Sequence, residues 1–473
     1  MFSKNGAFLS ASDLATVHDT SMELLANVGV DFYDEEALAI FRKYGATVNG
    51  CNVILGEKQV MDAVARAPRQ FLIRARNPDR NVTIGNGNPI FVPAYGAPFI
   101  VDENGRRQPT VDDYKNLVRL VDALPNQDMS GYLLVEPADV PARRLFPLML
   151  QTGMVYSDKP YMGITLNKRG ACQTMEMSAI LFGESAASLA EQPVTLGLVD
   201  SLSPLQYSAD SSGVIITYAE HGQPLLVTSL IMAGATGPVT LAGTLAQQNA
   251  EVLAGITLAQ LVRPGTPVIY GTASTIMDLR TGILAIGSPE LALLAQASSQ
   301  LAHYYGLPCR GGGSLTDAHG PDVQAGFESM LGLLNALNSG FDLIMHAAGI
   351  LSSFLAVSYE KFVIDDEMCG LVRQFGQGLA ITPETLAYDV IARVGPGGNF
   401  LEEAHTYKHC RTAAWQPTLC SRQDLESWQS NGRIDMVARA RRRWQEILAE
   451  HEPPALDQTT QRQLRQYVEM HSN

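Results

Sequence analysis

The chain has 473 residues, of which 46% are hydrophobic and 17% are charged, a balance typical of a well-packed globular protein with a large core. Its formal net charge of −14 argues against a nucleic-acid partner, because phosphate binding requires clustered lysine and arginine. No apolar run reaches the length of about 18 residues that a membrane-spanning helix needs. The first residues, MFSKNGAFLSASD, lack the basic and apolar regions of a signal peptide. Composition therefore predicts a cytoplasmic protein that binds neither nucleic acid nor a membrane.

The cysteines are scattered and form no CxxC pair. The six positions are Cys51, Cys172, Cys309, Cys369, Cys410 and Cys420. This spacing is typical of reduced structural thiols and favours neither a disulfide framework nor a zinc site.

An α+β extension is predicted for residues 1–88. Ser12 and Asp13 are suited to cap a helix whose apolar residues recur at helical spacing, and Gly29 is suited to end it. A second helix is predicted over residues 35–44. The segment NPDRNVTIGNGNP that follows later predicts short strands separated by turn residues.

Residues 89–353 alternate between short apolar runs and helical segments. The runs are PIFVPAY (89–95), MSGYLLVEP (129–137), PYMGITLN (160–167), PVTLGLVDS (193–201), PLLVTSLIM (224–232), PVIYGTAS (267–274), LPCRGG (307–312) and FDLIMHAA (341–348). The helical segments are 111–123, 143–156, 171–182, 208–221, 246–262, 289–305 and 322–339. Because parallel strands need a crossover between them, this alternation predicts the α/β class and a (β/α)8 TIM-type barrel. An open doubly wound sheet is the competing architecture, but no glycine-rich phosphate turn follows the first run.

After the barrel, residues 354–473 are predicted to form a C-terminal helical segment packed on it. Helices are expected over 365–375, 382–394 and 433–449. The basic run ARARRR within the last of these is interpreted as a solvated helix face. His405 and His409 are spaced to share one helix face and hold a metal, but no HExxH glutamate accompanies them, so a structural role is favoured and no metal site is predicted.

Active sites of such barrels lie at the carboxyl ends of the strands. The polar residues expected there are Tyr95, Glu136, Thr165, Asn167, Asp200, Ser201, Thr272, Arg310 and His346. Glu136 and Asp200 are candidates for an acid–base pair.

Aromatic residues point to a different chemistry. Tyr95 ends the first run, and Phe354 and Tyr359 follow the eighth. The first and eighth strands are neighbours in a closed barrel, so we expect these rings to meet at its mouth. Such rings hold a quaternary ammonium by cation–π attraction of about 1–2 kcal/mol each when desolvated.

Four long segments resemble the trimethylamine methyltransferase family. They are VPAYGAPFIVD (92–102), LTDAHGPDVQAGFESMLGLLNALNSGFDLIMHAAG (315–349), SYEKFVIDDEMCG (358–370) and FLEEAHTYKHCRTAAWQPTLCSR (400–422). The opening helix, with MELLANVGVDF, is similar as well, so the likeness covers nearly the whole chain. The resemblance implies a barrel that transfers a methyl group to the cobalt(I) of a corrinoid carried by a small partner protein.

This chain departs from the archaeal trimethylamine enzymes of that family, which carry pyrrolysine at the barrel mouth. The corresponding region, near residues 311–315, has only standard residues. The resemblance is therefore to the non-pyrrolysine branch, whose members demethylate glycine betaine, proline betaine, carnitine or butyrobetaine. A quaternary amine leaves as a neutral tertiary amine and needs no general acid, whereas a tertiary amine requires activation.

A betaine also carries a carboxylate, which requires hydrogen-bond donors. His346 and Arg310 are the candidates, with Gln324 as a third, and Glu328 or Asp317 is a candidate to balance the cation. The substrate-binding set predicted from the sequence is Tyr95, Arg310, Gln324, Glu328, His346, Phe354 and Tyr359.

Two alternative functions remain open from the sequence. One is a different barrel enzyme, a lyase or isomerase that uses the rim carboxylates Glu136 and Asp200. The other is a non-catalytic protein that binds an amine. For any of these functions a symmetric homo-oligomer is the default expectation.

Overall fold

The computed structural model describes residues 8–471. In chain order the strands are β1 (Val30–Phe32), β2 (Thr47–Asn49), β3 (Asn52–Ile54), β4 (Phe71–Ile73), β5 (Val82–Ile84), β6 (Ile90–Phe91), β7 (Phe99–Asp102), β8 (Gly105–Arg107), β9 (Tyr161–Met162), β10 (Thr195–Asp200), β11 (Gln206–Tyr207), β12 (Leu225–Thr228), β13 (Met232–Ala233), β14 (Val268–Gly271), β15 (Thr275–Asp278), β16 (Ile283–Leu284), β17 (Cys309–Gly312), β18 (Leu343–Met345), β19 (Ile350–Leu351) and β20 (Ala356–Val357). The helices are α1 (Ala11–Asn27), α2 (Glu35–Lys43), α3 (Glu57–Val64), α4 (Val111–Ala123), α5 (Ala142–Tyr156), α6 (Lys168–Phe182), α7 (Ala186–Leu189), α8 (Ala209–Glu220), α9 (Leu241–Val262), α10 (Pro289–Tyr305), α11 (Val323–Asn338), α12 (Tyr359–Gly376), α13 (Pro383–Leu386), α14 (Tyr388–Val394), α15 (Ala404–His409), α16 (Leu425–Ser430), α17 (Met436–Glu450) and α18 (Gln458–Met470).

The centre of the fold is a curled sheet of seven parallel strands in the order β6-β18-β17-β14-β12-β10-β9. Each of these strands begins within an apolar run of the sequence and is followed by a helix, either directly or after one or two short strands. Because a parallel sheet is covered on both sides, its strands carry apolar residues at successive positions, as β12 and β14 do. The predicted α/β class is confirmed.

The predicted second strand, residues 129–137, is absent from the described chain as a regular strand. Its backbone divides its hydrogen bonds among several partners: the Ser130 N–H donates to the Pro160 carbonyl, and the Gly131 carbonyl accepts from Met162. Gly131 adopts a left-handed φ of 71°, which interrupts an extended ladder. Pro137, without an N–H, cannot continue a ladder either. The residue just before this segment, Asp128, donates its N–H to the Phe91 carbonyl of β6, the outer strand at the opposite end of the sheet from β9.

A small N-terminal layer packs on the outside of α9, mainly through α1 and α3. Ser10 caps α1, because its side chain and that of Asp13 each accept a hydrogen bond from the other's backbone N–H. The sequence had instead suggested Ser12 and Asp13 as the capping residues. Strand β1 pairs antiparallel with β3 and parallel with β11. The layer therefore shares a sheet with a segment that follows β10.

Helix α9 is buried without interruption from Thr244 to Gln260. One side of it faces β12 and β14, and the other lies beneath α1 and α3. A helix covered on both sides has no need of a polar face. Within this stretch the single charged residue is Glu251.

The C-terminal helices pack against the outer helices of the sheet. A buried ion pair fixes α12, because Lys361 Nζ contacts Asp365 Oδ1 at 2.5 Å and Ser329 Oγ at 2.9 Å. The basic run on α17 is only partly a solvated face, since Arg441 pairs with the buried Glu360 at 2.9 Å. Among the described residues, no helix combines the length and the apolar character that crossing a bilayer requires.

Candidate active site

Polar side chains converge where the strands of the central sheet end. Asp200 is the last residue of β10, Arg310 lies in β17, and His346 follows β18 directly. Arg310 is in register with Gly271 of β14 and Leu343 of β18. Because the strands are parallel, their carboxyl ends lie at one edge, which we call the carboxyl edge.

Arg310 and Asp200 form a separated pair of opposite charges. Burial lowers the pKa of Arg310 to about 10, and the nearby Asp200 opposes that shift. Among the described residues no hydrogen bond or ion pair joins Arg310 to Asp200. Arg310 Nη1 instead donates to the Thr272 carbonyl at 2.6 Å. Its Nε is buried and has no hydrogen-bond partner among the described residues. A buried donor without a partner costs about 1–3 kcal/mol, so this site is suited to receive an acceptor from a ligand.

Asp200 keeps part of its surface open to solvent. The protein groups packed around its carboxylate desolvate it, and this raises its pKa to about 6. Arg310 partly offsets the shift. A cation that binds beside such a carboxylate stabilises its ionised form and offsets the cost of desolvation.

His346 is a neutral imidazole at this edge. Burial, with a smaller contribution from Arg310, lowers its pKa well below the usual value. Its Nδ1 is buried and unpaired among the described residues, and its backbone has a left-handed φ of 57°. A side chain in a strained backbone with an unsatisfied nitrogen is typical of a functional site.

The aromatic rings of two of the three candidates, Tyr95 and Phe354, lie beside these groups. The Phe354 ring is 4.9 Å from the His346 ring, centroid to centroid, and Phe354 lines a small cavity together with Arg310. Tyr95 lies 3.4 Å from Thr165, hydroxyl to hydroxyl, and burial raises its pKa to about 12, with Asp200 contributing. Tyr95 therefore stays a neutral phenol near the Asp200 carboxylate.

A strained turn directs Phe354 into the site. Ser352, Ser353 and Phe354 have successive left-handed φ values of 51°, 54° and 71°, each costing roughly 1–2 kcal/mol for a residue other than glycine. Hydrogen bonds hold the turn: Ser353 Oγ donates to Asp317 Oδ1 at 2.6 Å, and Ser352 N–H donates to the Ala318 carbonyl. The surrounding loop thus imposes the orientation of the ring.

Gln324 and Glu328 support this loop from α11. Glu328 Oε2 accepts from Thr316 Oγ1 at 2.6 Å and from the Asp317 N–H at 2.9 Å. Gln324 donates to Glu328 Oε1. The Glu328 carboxylate was expected to balance a cation, but these hydrogen bonds already occupy it. Both Gln324 and Glu328 therefore lie behind the Phe354 turn.

Tyr359 lies elsewhere, at the start of α12. Its ring stacks on Trp444 with centroids 4.7 Å apart, and its hydroxyl donates to Asp113 Oδ1 at 3.1 Å. Tyr359 is the first residue of α12, which packs on α17 and α11. Its ring therefore lies against α17, the helix that carries Trp444. The expected meeting of Tyr359 with Tyr95 does not occur.

The structure therefore brings together Tyr95, Arg310, His346 and Phe354 from the predicted set, with Asp200 from the predicted rim. Thr228, which was not predicted, ends β12 with a buried hydroxyl that lacks a partner among the described residues. The only signal in the sequence was that Thr228 and Ser229 are the polar residues inside the apolar run PLLVTSLIM (224–232). Glu136 is exposed, and no described contact joins it to Asp200, so the acid–base pair finds no support.

Glu251 anchors the loop that follows Asp200. Its carboxylate accepts from the hydroxyls of Ser201, Ser203 and Ser229 at 2.5–2.8 Å, and from the Leu205 N–H at 2.9 Å. A fully buried carboxylate with this many donors is compensated, but only while all of them are in place.

We expect Glu251→Gln to lower the free energy of unfolding by about 2–3 kcal/mol, because an amide places two hydrogens among groups that donate. Urea denaturation of the variant against the parent measures the effect. Glu23→Gln, at an exposed position of α1, is the matched control and should change stability little. A loss of stability equal to that of the control would contradict the anchoring role.

The family profile for trimethylamine methyltransferase matches residues 3–473. The chain is 44% identical to a glycine betaine methyltransferase of Desulfitobacterium hafniense, over 97% of this chain and 96% of the relative. It is 34% identical to a proline betaine:corrinoid methyltransferase of Eubacterium limosum, over 98% and 97% of the two chains. The chain belongs to the trimethylamine methyltransferase family. A trimethylamine methyltransferase of Methanosarcina mazei is 33% identical, over 96% and 93%.

Solved structures show a related fold for this family member. The monomethylamine methyltransferase of Methanosarcina barkeri aligns with a TM-score of 0.54, covering 94% of this chain and 90% of that one. Sequence identity across the alignment is 14%, so the likeness concerns the fold alone.

In this trimethylamine methyltransferase family member, an open cleft of about 740 Å³ adjoins the strained turn. The hairpins β7–β8 and β15–β16 form two of its sides, and Asp317, Ser352 and Ser353 form a third. The cleft and the Phe354 turn therefore share a wall.

Proposed function

We propose that this protein transfers a methyl group from a betaine, a quaternary amine with a carboxylate, to the cobalt(I) of a corrinoid carried by a partner protein. The observation that carries the proposal is the separated pair of Arg310 and Asp200 at the carboxyl edge. A zwitterion has charges of opposite sign at its two ends, and this pair offers each end a partner.

The carboxylate end fits Arg310 and His346. Arg310 Nε and His346 Nδ1 are both buried without partners among the described residues, and charge-assisted hydrogen bonds to a carboxylate satisfy such donors. A neutral imidazole donates one N–H, in the tautomer that places the proton on Nδ1.

The ammonium end fits Asp200, Tyr95 and Phe354. A quaternary nitrogen has no N–H, so it is recognised by charge and by aromatic faces. Asp200 supplies the charge, and the rings of Tyr95 and Phe354 contribute about 1–2 kcal/mol each by cation–π attraction when desolvated.

Methyl transfer breaks one C–N bond, whose electron pair stays on nitrogen as the neutral tertiary amine leaves, while the methyl carbon bonds to cobalt through the electron pair of cobalt(I). The residues of this chain donate no proton to the leaving group in that step. Their task is to hold the zwitterion in one orientation and to exclude water. A rigid site such as the strained Phe354 turn is suited to that task.

The names of the relatives support the reaction. They act on glycine betaine, proline betaine and, for a relative 31% identical, L-carnitine, and two of the three names specify a corrinoid. We propose glycine betaine as the first candidate substrate, because that relative shares the most residues among these three.

We further propose the arrangement around the site. The partner's corrinoid approaches from the 740 Å³ cleft, the sheet closes as a barrel through the irregular segment 128–131, and the chain divides at residues 88 and 353 into extension, barrel and helical segment. The protein works in the cytoplasm as a symmetric homo-oligomer.

The test is methyl transfer to free cobalt(I) cobalamin, followed by the absorbance change that accompanies methylcobalamin formation. Glycine betaine, proline betaine, carnitine, butyrobetaine and trimethylamine are compared at equal concentrations. We expect turnover with at least one betaine, most rapid with glycine betaine, and none with trimethylamine. Turnover with trimethylamine alone, or with no quaternary amine, would overturn the proposal.

A further inference from the structure

The segment between α12 and Leu419 has no core of its own. All of residues 377–418, which we call the arm, lie within the described chain, and none of them is buried. Large apolar side chains stand in solvent instead: Leu379 is 88% exposed, Leu401 82% and Tyr407 85%. Ordering a segment costs about 1–2 kcal/mol per residue in backbone entropy, and an arm that buries nothing does not repay that cost.

Polar contacts join the short helices of the arm to one another. Glu384 accepts from Lys408 at 2.6 Å and from His409 at 2.9 Å, and Arg393 pairs with Glu403 at 2.5 Å. His405, the other histidine considered as a metal ligand, lies 3.2 Å from the Glu384 carbonyl, so both histidines link α15 to α13. Glu384 is itself 53% exposed and Lys408 65%, so these ion pairs link the short helices without covering the apolar side chains of the arm.

Helix α11, whose neighbour α12 leads into the arm, also has an apolar face that no part of the described chain covers. Val323, Phe327 and Leu331, spaced four residues apart, are 83%, 61% and 45% exposed. Beside them an apolar groove of about 400 Å³ runs between α11, α12 and the start of α17. Met368 and Met436 are among its walls. A contiguous apolar surface of this kind marks an interaction site.

We propose that the arm of one copy of this chain packs on the α11 face and groove of a second copy. Both halves of the contact lie on the same chain, so a two-fold axis buries both at once, as an isologous interface requires. The arm exposes eight large apolar side chains: Leu379, Ile381, Leu386, Tyr388, Ile391, Phe400, Leu401 and Tyr407. At roughly 150 Å² for each, the arm offers on the order of 1,000 Å². Stable interfaces need about 800 Å² from each partner.

The test measures the mass of the full-length protein by light scattering after size-exclusion chromatography. The parent should be a dimer or a larger assembly of dimers, against a chain mass of 51.1 kDa. Val323→Asp and the double variant Leu379→Asp/Tyr407→Asp should each raise the dissociation constant at least 100-fold and give monomers. An aspartate at the first residue of α11 is favourable for the helix itself, so the Val323 variant should fold. Leu293→Asp, on the exposed side of α10, is the matched control and should leave the assembly intact.

Hydrogen exchange provides the second measurement. The amides of the arm should be protected in the parent and exchange at least 10-fold faster in Val323→Asp, although that change lies outside the arm. A monomeric parent with a protected arm would mean that the arm packs on its own chain. A monomeric parent whose arm becomes protected only when a corrinoid protein is added would mean that the partner protein is the occupant. Either result, or assemblies that resist both variants, would overturn the proposal.

Discussion

Replacing Arg310 with lysine should lower kcat/KM for glycine betaine by about 100-fold, mostly through a higher KM. The guanidinium supplies fixed donors to a carboxylate, and a buried charge-assisted hydrogen bond is worth about 1.5–3 kcal/mol. Lysine keeps the charge but not the planar geometry. Initial rates of methylcobalamin formation over a range of betaine concentrations give both constants.

Two comparisons separate recognition of the carboxylate from a structural role for Arg310. Tetramethylammonium has no carboxylate, so its slow turnover should be the same in the Arg310→Lys variant and the parent. Arg263→Lys changes a surface arginine paired with Glu191 and should have no effect with either substrate. An equal loss with tetramethylammonium and glycine betaine would show that Arg310 maintains the fold of the site and does not hold the carboxylate.

Replacing Asp200 with asparagine should lower kcat/KM by about 100-fold at pH 8 and should remove the pH dependence of binding. The pKa of Asp200 is raised to about 6 by burial, so the parent's carboxylate becomes protonated as the pH falls through 6. The neutral form no longer attracts the ammonium group. The parent's kcat/KM should therefore fall below pH 6, whereas the variant's profile should be flat there.

Stability gives an independent control for the same variant. Because the folded-state pKa of Asp200 lies above its unfolded value, the ionised form is disfavoured by folding, and this cost appears as the pH rises through that window. Asp200→Asn should therefore be at least as stable as the parent at pH 8 in urea denaturation. A variant that loses activity together with stability would contradict a direct role in substrate binding.

The central sheet could be predicted to a large extent from local sequence. Seven of the eight apolar runs contain the strands of the central sheet, because a strand covered on both faces needs apolar residues at successive positions. Helices α4 and α10 have the predicted bounds, since their caps Thr110 and Ser288 are local signals. The run at 129–137 has the same composition, yet its backbone bonds to partners on several segments. Composition does not encode which neighbours are within reach.

The residues of the candidate site likewise divide into those that local sequence could predict and those that it could not. Arg310 and His346 were predictable because each lies at a strand end, and parallel strands bring their ends to one edge. Tyr359 was not, because its direction depends on how α12 leaves the β19–β20 hairpin and packs on Trp444. Glu328 has the right charge, but its carboxylate holds the Asp317 loop.

By itself, the sequence determined the α/β class, the family and the residue types available at the carboxyl edge, because these depend on local pattern and on long segments of likeness. Only the tertiary structure decided that Asp200 and Arg310 stand apart as opposite charges and that Phe354 is turned onto His346. It also decided that the arm presents its apolar side chains to solvent. The physical reason is that pKa, strain and exposure depend on neighbours distant in the chain, and those neighbours are defined only once the chain has folded.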